Sequence, residues 1–299
     1  MCRDRNVRGI YEGHDYLPFV FLRWLEDPNR GIFVAEKEGD VIGIRAFHII
    51  DEGTTVVSQS LRVHREYRRQ GISGLLILAE NRYVQTHFPR VTTERYTTMS
   101  TNVGRLAIHR KSHGENLLLE FGIIAFYINP ATVSTRERNC ANSQVRKIDS
   151  VEFQTLVREG RLDRVLQRGT MVIDWEPFKA VESNVSCGLV NEGDSLFVSK
   201  AQKEDQIQGL SHGRLSQRVK CLHWAATIYT ENVKLLTVHI AKQLRNATIQ
   251  ARKKSFIFSC FIPTCFVPEA KKHVLDEFSL EYVEFFNFNL MLFEKKFCQ

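Results

Sequence analysis

Apolar and polar positions along this chain fall into two periods, and the switches between them mark out its elements. Residues 19–26 repeat at the helical period, and Pro18 sits where a first helical turn tolerates it. Residues 32–37 and 41–50 alternate at period two around Glu38-Gly39-Asp40, a hairpin signal. Asp51-Glu52-Gly53 then turns the chain into a third strand over 54–63. A basic, glycine-bearing turn follows, from Arg65 to Gly74, and leads into an amphipathic helix over 75–84. Beyond a break at Phe88-Pro89-Arg90, residues 91–97 read as a strand, 102–111 as a helix, and 117–128 as two short strand runs around Gly122.

Residues 129–150 are mostly polar, without a sustained apolar period, and read as a linker. After it, 196–200, 218–230 and 233–240 read as strands, 241–253 as a helix, 256–262 as a strand, 268–278 as a helix and 284–294 as a final strand. This order roughly repeats the first half. In the repeat, the place of the basic turn falls at His239-Ile240-Ala241-Lys242, which has no glycine and no arginine pair. Two readings follow: a degenerate copy of the first half, unable to hold pyrophosphate, or an unrelated α+β domain. The expected organisation is a first domain over 1–128, a linker over 129–150 and a second domain over 151–299.

The turn itself carries the candidate chemistry. Where a strand runs through a tight turn into a helix, the first helical amides lack intrahelical partners and lie at the positive end of the dipole. Gly71 and Gly74 remove side chains that would hold an anion away from that backbone, and Arg68 and Arg69 add charge. With Gln70, Ile72 and Ser73 they make an expected pyrophosphate cradle. The spacing is neither that of a Walker loop nor that of a dinucleotide fingerprint.

Arg68-x-x-Gly71-x-Ser73 instead resembles the acyl-CoA signature of the GNAT superfamily of N-acetyltransferases, with Ser73 a small-residue departure at its last place. The element order agrees with that fold, an α/β (α+β) architecture with a mixed central sheet flanked by helices. The fold ordinarily begins with a strand and a helix ahead of this chain's residue 1. Tyr11-Glu12-Gly13-His14-Asp15-Tyr16-Leu17-Pro18, Trp24-Leu25, Asp27-x-Asn29-Arg30, Val41-Ile42 and Leu61-Arg62-Val63 further resemble the histidine N-acetyltransferase family over residues 8–128.

The resemblance implies acetyl transfer from acetyl-CoA to the amino group of a small amine, free L-histidine being the best candidate acceptor. It also implies that the main chain of Leu61 and Val63 faces the cofactor arm and the thioester oxygen. Many members of the superfamily place a glutamate base on that strand, and here Gln59 stands there, unable to accept a proton. His48 on the preceding strand is the substitute candidate, against a plain buried histidine. His109 occupies the place of the tyrosine that protonates the leaving thiolate, and Tyr96 is another possible donor. Asp15 and Tyr16 either read the acceptor or fix the start of the first helix. A non-catalytic acyl-CoA-binding module and a protein N-acetyltransferase are the alternatives.

Composition narrows the field. Apolar residues make up 43% and charged residues 25% of the 299, an ordinary globular balance. The net charge of +7 comes from scattered Lys and Arg, so nucleic acid is not an expected partner. Seven cysteines form no C-x-x-C and no metal-ligand spacing, so no metal is expected and reduced thiols in a cytoplasmic protein are. No apolar run approaches the roughly 20 residues that span a bilayer.

Overall fold

The computed structural model describes residues 11–111, 114–131, 145–200, 206–278 and 280–297. Residues 8–10 of the acceptor-side motif, most of the expected linker, and Cys2, Cys140 and Cys298 lie outside these.

The first half runs α1 (Leu17–Glu26), β1 (Arg30–Lys37), β2 (Asp40–Ile50), β3 (Thr55–Val63), α2 (Ile72–His87), β4 (Thr93–Met99), α3 (Val103–Lys111) and β5 (Asn116–Ile128). The second opens with β6 (Val145–Ile148), at the end of the expected linker, and α4 (Ser150–Arg158). A small hairpin follows, β7 (Thr170–Ile173) and β8 (Glu176–Lys179), then the short turn α5 (Glu182–Asn184). The remainder is β9 (Ser195–Lys200), β10 (Ile207–Gln217), β11 (Leu222–Thr230), α6 (Val233–Gln250), β12 (Phe256–Pro263), α7 (Val267–Phe278), β13 (Glu281–Tyr282) and β14 (Asn289–Lys296).

Apart from the β7–β8 hairpin, the described strands form one sheet in the order β1-β2-β3-β4-β14-β5-β12-β11-β10-β9-β6, with β13 beside β5. Its two wings mirror each other. β3 and β4 are parallel and joined through α2, as β11 and β12 are parallel and joined through α6; a parallel pair needs such a crossover. β4 is then flanked by antiparallel β14, and β12 by antiparallel β5. The last strand of the second half thus completes the first, and the last strand of the first half completes the second. β5 and β14 meet at the centre, Leu290 opposite Phe121 and Leu292 opposite Leu119.

This exchange explains the long apolar run of β5. Leu119, Phe121, Ile123 and Ala125 pack on one face with Phe153, Met171, Val172 and Phe178, while Ile124, Phe126 and Ile128 face Trp224, Ile240, Leu244 and Phe258. Covered on both faces, β5 loses the alternation of a half-exposed strand. Each such side chain fully removed from water contributes about 1.5–3 kcal/mol. A polar joint also ties the halves together: Asp51, in the β2–β3 turn, accepts from Asn184 Nδ2 (2.6 Å), the Lys179 amide (3.0 Å) and Arg95 Nη1 (3.2 Å).

Two readings of the sequence are corrected here. Residues 233–240 are the first turns of α6, not a strand, so His239 to Lys242 lie mid-helix. The counterpart of the basic turn is Glu231-Asn232, between β11 and α6. The final strand begins at Asn289, and Glu284–Phe286 form a 3₁₀ turn.

Candidate functional site

The basic turn folds as a cradle. Gly71 is the N-cap of α2 at φ +82°, a conformation that disfavours any Cβ, and no side chain caps the helix. The first intrahelical bond runs from Leu75 to Gly71 (3.1 Å), which leaves the amides of Ile72, Ser73 and Gly74 without helical partners. Arg68 is held over the turn by a bond from its Nε to the Val63 carbonyl (3.1 Å), and Gln70 Nε2 donates to the Glu66 carbonyl (3.0 Å). At the mirror position Asn232 Oδ1 accepts from the amides of Lys234 (2.9 Å) and Leu235 (3.3 Å). The second half therefore caps from within the amides that the first half leaves open.

The strands next to the cradle separate. β3 pairs with β4 only from Thr55 to Val57, opposite Thr93 to Arg95. From Ser58 onward the edge of β3 that faces β4 has no ladder. The β2–β3 register shifts between Ile44 and Ala46, and Ser60 takes φ +56° there, so the strand bulges. The His64 amide donates to Ile42 (2.8 Å), and antiparallel alternation then turns the amide of Val63 into the gap, with Leu61 two residues before it.

The gap opens into a cavity of about 1430 Å³, larger than one ordinary small-molecule pocket of roughly 300–1,000 Å³, so it has room for a cofactor arm and an acceptor together. Leu61, Val63, Arg68, Arg69, Gly71, Ile72 and Ser73 line one end. Gln59, His48, Tyr16 and Tyr96 line the middle, and the far wall comes from the second half through Asp174, Glu176, Arg214 and Arg218. Gln70, Gly74, Asp15 and His109 are not on the lining.

Asp15 is buried behind Tyr16, forks onto Arg62 at 2.7 and 2.8 Å, and accepts the Leu17 amide at 3.0 Å. Tyr16 faces the cavity, its hydroxyl 2.7 Å from Ser60 Oγ, and burial pushes its pKa up. The Gln59 amide nitrogen is buried with no hydrogen-bond partner. His48 lies two positions along β2 from Ala46, the partner of Gln59, so the two side chains share a face. His48 Nδ1 is 2.6 Å from Glu176 Oε1, and Arg30 Nη2 is 2.9 Å from the same oxygen. Burial acts to raise the Glu176 pKa, but Arg30 and His48 outweigh it and hold the carboxyl well below its ordinary range. Glu176 reaches this place because β7 and β8 join through Asp174-Trp175, both at positive φ as a two-residue hairpin turn requires.

The two proton-donor candidates converge on one carboxylate. Tyr96 donates to Glu115 Oε2 (2.7 Å), and His109 Nδ1 lies 2.8 Å from the same oxygen, its ring against Phe293 at 4.1 Å. Tyr96 lines the cavity and His109 stands behind it. Burial first, then the bond to Glu115, drives the Tyr96 pKa upward, so this hydroxyl keeps its proton.

One cluster invisible in the spacing of the sequence appears in space. His14, Cys221 and His223 bring potential ligand atoms within 4.8 Å of one another, with His14 Nδ1 3.2 Å from His223 Nε2. Burial and then Lys220 lower the His14 pKa; burial and then Arg218 hold that of His223 well below its usual value. The same positive charges oppose a bound cation.

The sequence singled out the basic turn and, within the acceptor-side motif, Arg30, but not Glu176, Glu115 and Arg218, whose contacts are long-range. Trp175-Glu176 following Asp174 gave no local sign of a site.

Residues 2–114 match the acetyltransferase (GNAT) family, and residues 141–263 match the C-terminal region of histidine N-acetyltransferase. A histidine N-acetyltransferase of Oreochromis niloticus is 32% identical over 201 residues, which are 62% of this chain and 58% of that protein. The chain thus spans 58% of the length of this curated relative. Among solved structures, a GCN5-related N-acetyltransferase from Sphaerobacter thermophilus aligns with TM-score 0.56 at 10% identity, over 94% of this chain and 86% of that one. A tandem GNAT protein of the clavulanic acid pathway aligns with TM-score 0.50 at 10% identity, over 91% and 85%. At such identity the likeness is one of fold, and the two-winged sheet is a paired arrangement of that fold.

Proposed function

We propose that this chain, which belongs to the GNAT superfamily of N-acetyltransferases and resembles the histidine N-acetyltransferases, moves the acetyl group of acetyl-CoA onto the amino group of a small amine, free L-histidine being the best candidate. The observation that carries this reading is one continuous cavity. It joins an uncapped helix start at Gly71 to the open edge of β3, and from there to a polar wall supplied by the second half.

In this reading the amides of Ile72, Ser73 and Gly74, with Arg68 and Arg69, hold the pyrophosphate, and the Val63 and Leu61 main chain aligns the pantetheine arm. An amide there donates to the thioester oxygen as negative charge develops. The acceptor's α-amino group, with an ordinary pKa of about 7.7–8.0, attacks in its neutral form. Gln59 orients it, and His48, held through Nδ1 by Glu176, takes the proton that the new amide sheds. The proton for the leaving thiolate is assigned to the linked group of His109, Glu115 and Tyr96, of which Tyr96 faces the cavity. Domain boundaries at 1–128 and 151–299 remain our division of the chain, with the strands β5 and β14 exchanged across it.

The cytoplasm is the proposed compartment, supported by Cys187, Cys221, Cys260 and Cys265, which are unpaired. Among the described residues no helix is long and apolar enough to cross a membrane.

Acetyl-CoA turnover, followed by thiol release against free amino acids, polyamines and short peptides, tests the proposal. Turnover with histidine supports it. If CoA binds and no acceptor is consumed, a non-catalytic acyl-CoA-binding module replaces it, a reading favoured by Gln59, which cannot take a proton where a glutamate base is usual.

A further inference from the structure

We propose that Arg218, assisted by the hydroxyl of Ser216, is the subsite for the carboxylate of an α-amino-acid acceptor, so that the second half selects an amino acid over a plain amine. The proposal rests on the acetyl-transfer reading for the place of the reacting amine, and its own geometry is separate.

Two guanidinium groups flank the ring of Tyr16, Arg218 at 5.0 Å and Arg62 at 5.7 Å from its centroid. Arg62 is committed, with both terminal nitrogens forked onto Asp15. Arg218 bonds its anchor Asp174 through Nη2 alone, at 2.5 Å to each oxygen. Its Nε is buried without a hydrogen-bond partner, and the side chain as a whole is only 5% exposed. Two residues earlier on the same chain edge, Ser216 Oγ is buried and equally unpartnered. Buried donors are ordinarily satisfied, and Ser216 and Arg218 both belong to the cavity lining, so their two unpartnered groups are where an absent acceptor would be taken up. Of the other arginines on the second half's side of the cavity, Arg214 is taken by Asp194 and the Gly188 carbonyl; Arg30 and Arg45 on the first half are each held by two carboxylates, although Arg30 Nη1 also lacks a partner.

Position fits the chemistry. Tyr16 links Arg218 to the β3 bulge, since its hydroxyl reaches Ser60 at 2.7 Å and Arg218 lies over its ring. The reacting amine belongs at that bulge, and in an α-amino acid a single carbon separates amine from carboxyl group. Arg218 and Lys220 also place positive charge there: after burial, which is the first cause at both rings, Lys220 and Arg218 lower the His14 pKa and Arg218 lowers that of His223. Beyond Arg218, His14 and His223 with Phe285 and Phe286 form a wall of rings, His14 lying 4.9 and 5.2 Å from the two phenylalanines. That wall suits an aromatic acceptor side chain.

The test is calorimetric titration of L-histidine, histidinamide and histamine into the CoA-saturated protein, which requires no turnover. L-Histidine is expected to bind at least about 10-fold tighter than the two analogues that lack a carboxylate, the scale of a charged hydrogen bond. Arg218→Gln should erase that difference, leaving histidinamide and histamine within about twofold of their original affinity, with CoA affinity unchanged. Ser216→Ala should narrow it by about threefold. Equal binding of all three, binding of none, or an Arg218→Gln loss shared equally by all three would overturn the proposal. Should Arg218→Gln lose CoA binding through misfolding, the wild-type ratio, Ser216→Ala and Arg218→Lys decide it. If binding depends on the carboxylate but no acceptor is acetylated, the subsite stands and the acetyl-transfer reading fails.

Discussion

Glu176 Oε1 lies 2.6 Å from His48 Nδ1, although 128 positions separate the two residues. One belongs to a hairpin of the second half and the other to β2 of the first, so the candidate base is assembled only when the halves are joined. His48→Gln is therefore expected to lower kcat by about 10²-fold with little change in the KM for acetyl-CoA. Glu176→Gln should reproduce part of that loss and shift the acidic limb of the rate profile. Steady-state kinetics from pH 5 to 9 read both effects.

The same pair makes stability depend on acid. The Glu176 carboxyl is depressed in the folded protein because Arg30 and His48 outweigh its burial. A depressed acid contributes stability that is fully present above its unfolded value, about 4.3, and drains away as pH falls toward the lower folded value. Denaturant midpoints should fall from pH 5 to pH 3, and Glu176→Gln should flatten that slope. An unchanged slope would remove the ion pair as its source.

Gly71→Ala tests the cradle. The space that an added Cβ would fill is open, so no clash arises, yet φ +82° strains any larger residue by about 1–2 kcal/mol. The backbone is expected to relax away from the geometry that leaves three amides free. CoA should then bind at least several-fold more weakly while the thermal midpoint drops only a few degrees.

The cradle was legible in the sequence because strand, turn and helix are local there: Gly71, Arg68 and the apolar period of 75–84 stand within one short stretch. The strand exchange was not, since β5 and β14 carry apolar patterns that would suit either wing, and pairing between them is decided over more than 160 positions. Residues 207–217 escaped notice as a strand because Gly209, Gly213, His212 and Arg214 interrupt its alternation. Each is accommodated by a specific partner, such as Asp194 for His212 and Arg214. The opening turns of α6 read as a strand because Val233, Leu235, Val238 and Ile240 are apolar or β-branched. Leu236, Ile240 and Leu244, four apart and all buried, carry the helical period that competes with that reading. Gln59, His48 and Tyr16, singled out in the sequence, line one cavity; Glu176 and Arg218 enter it from a turn and a strand end that have no motif.

The exchange has a consequence for dissection. β14 lies between β4 and β5, so removing residues 289–299 exposes an edge on each wing at once. Such a chain, and residues 1–128 alone, should be insoluble or lack cooperative unfolding by circular dichroism. A soluble, cooperatively folding 1–128 fragment would mean that β5 can return to its own half.

Asp15 and Arg62 offer the sharpest test of what the acceptor-side motif is for. Their fork of 2.7 and 2.8 Å is almost wholly buried, and Asp15 also accepts the Leu17 amide at the start of α1. Removing one partner leaves the other charged and unpaired, at a cost of about 3–5 kcal/mol. Asp15→Asn and Arg62→Met should each lower the urea midpoint by that scale. The double substitution should cost clearly less than their sum, because it leaves no orphan charge. If the singles prove nearly neutral in stability but abolish acceptor binding, Asp15 reads the acceptor directly. If stability falls and the acceptor's KM in the surviving folded enzyme is little changed, its work is to fix α1 and hold Tyr16 against Ser60.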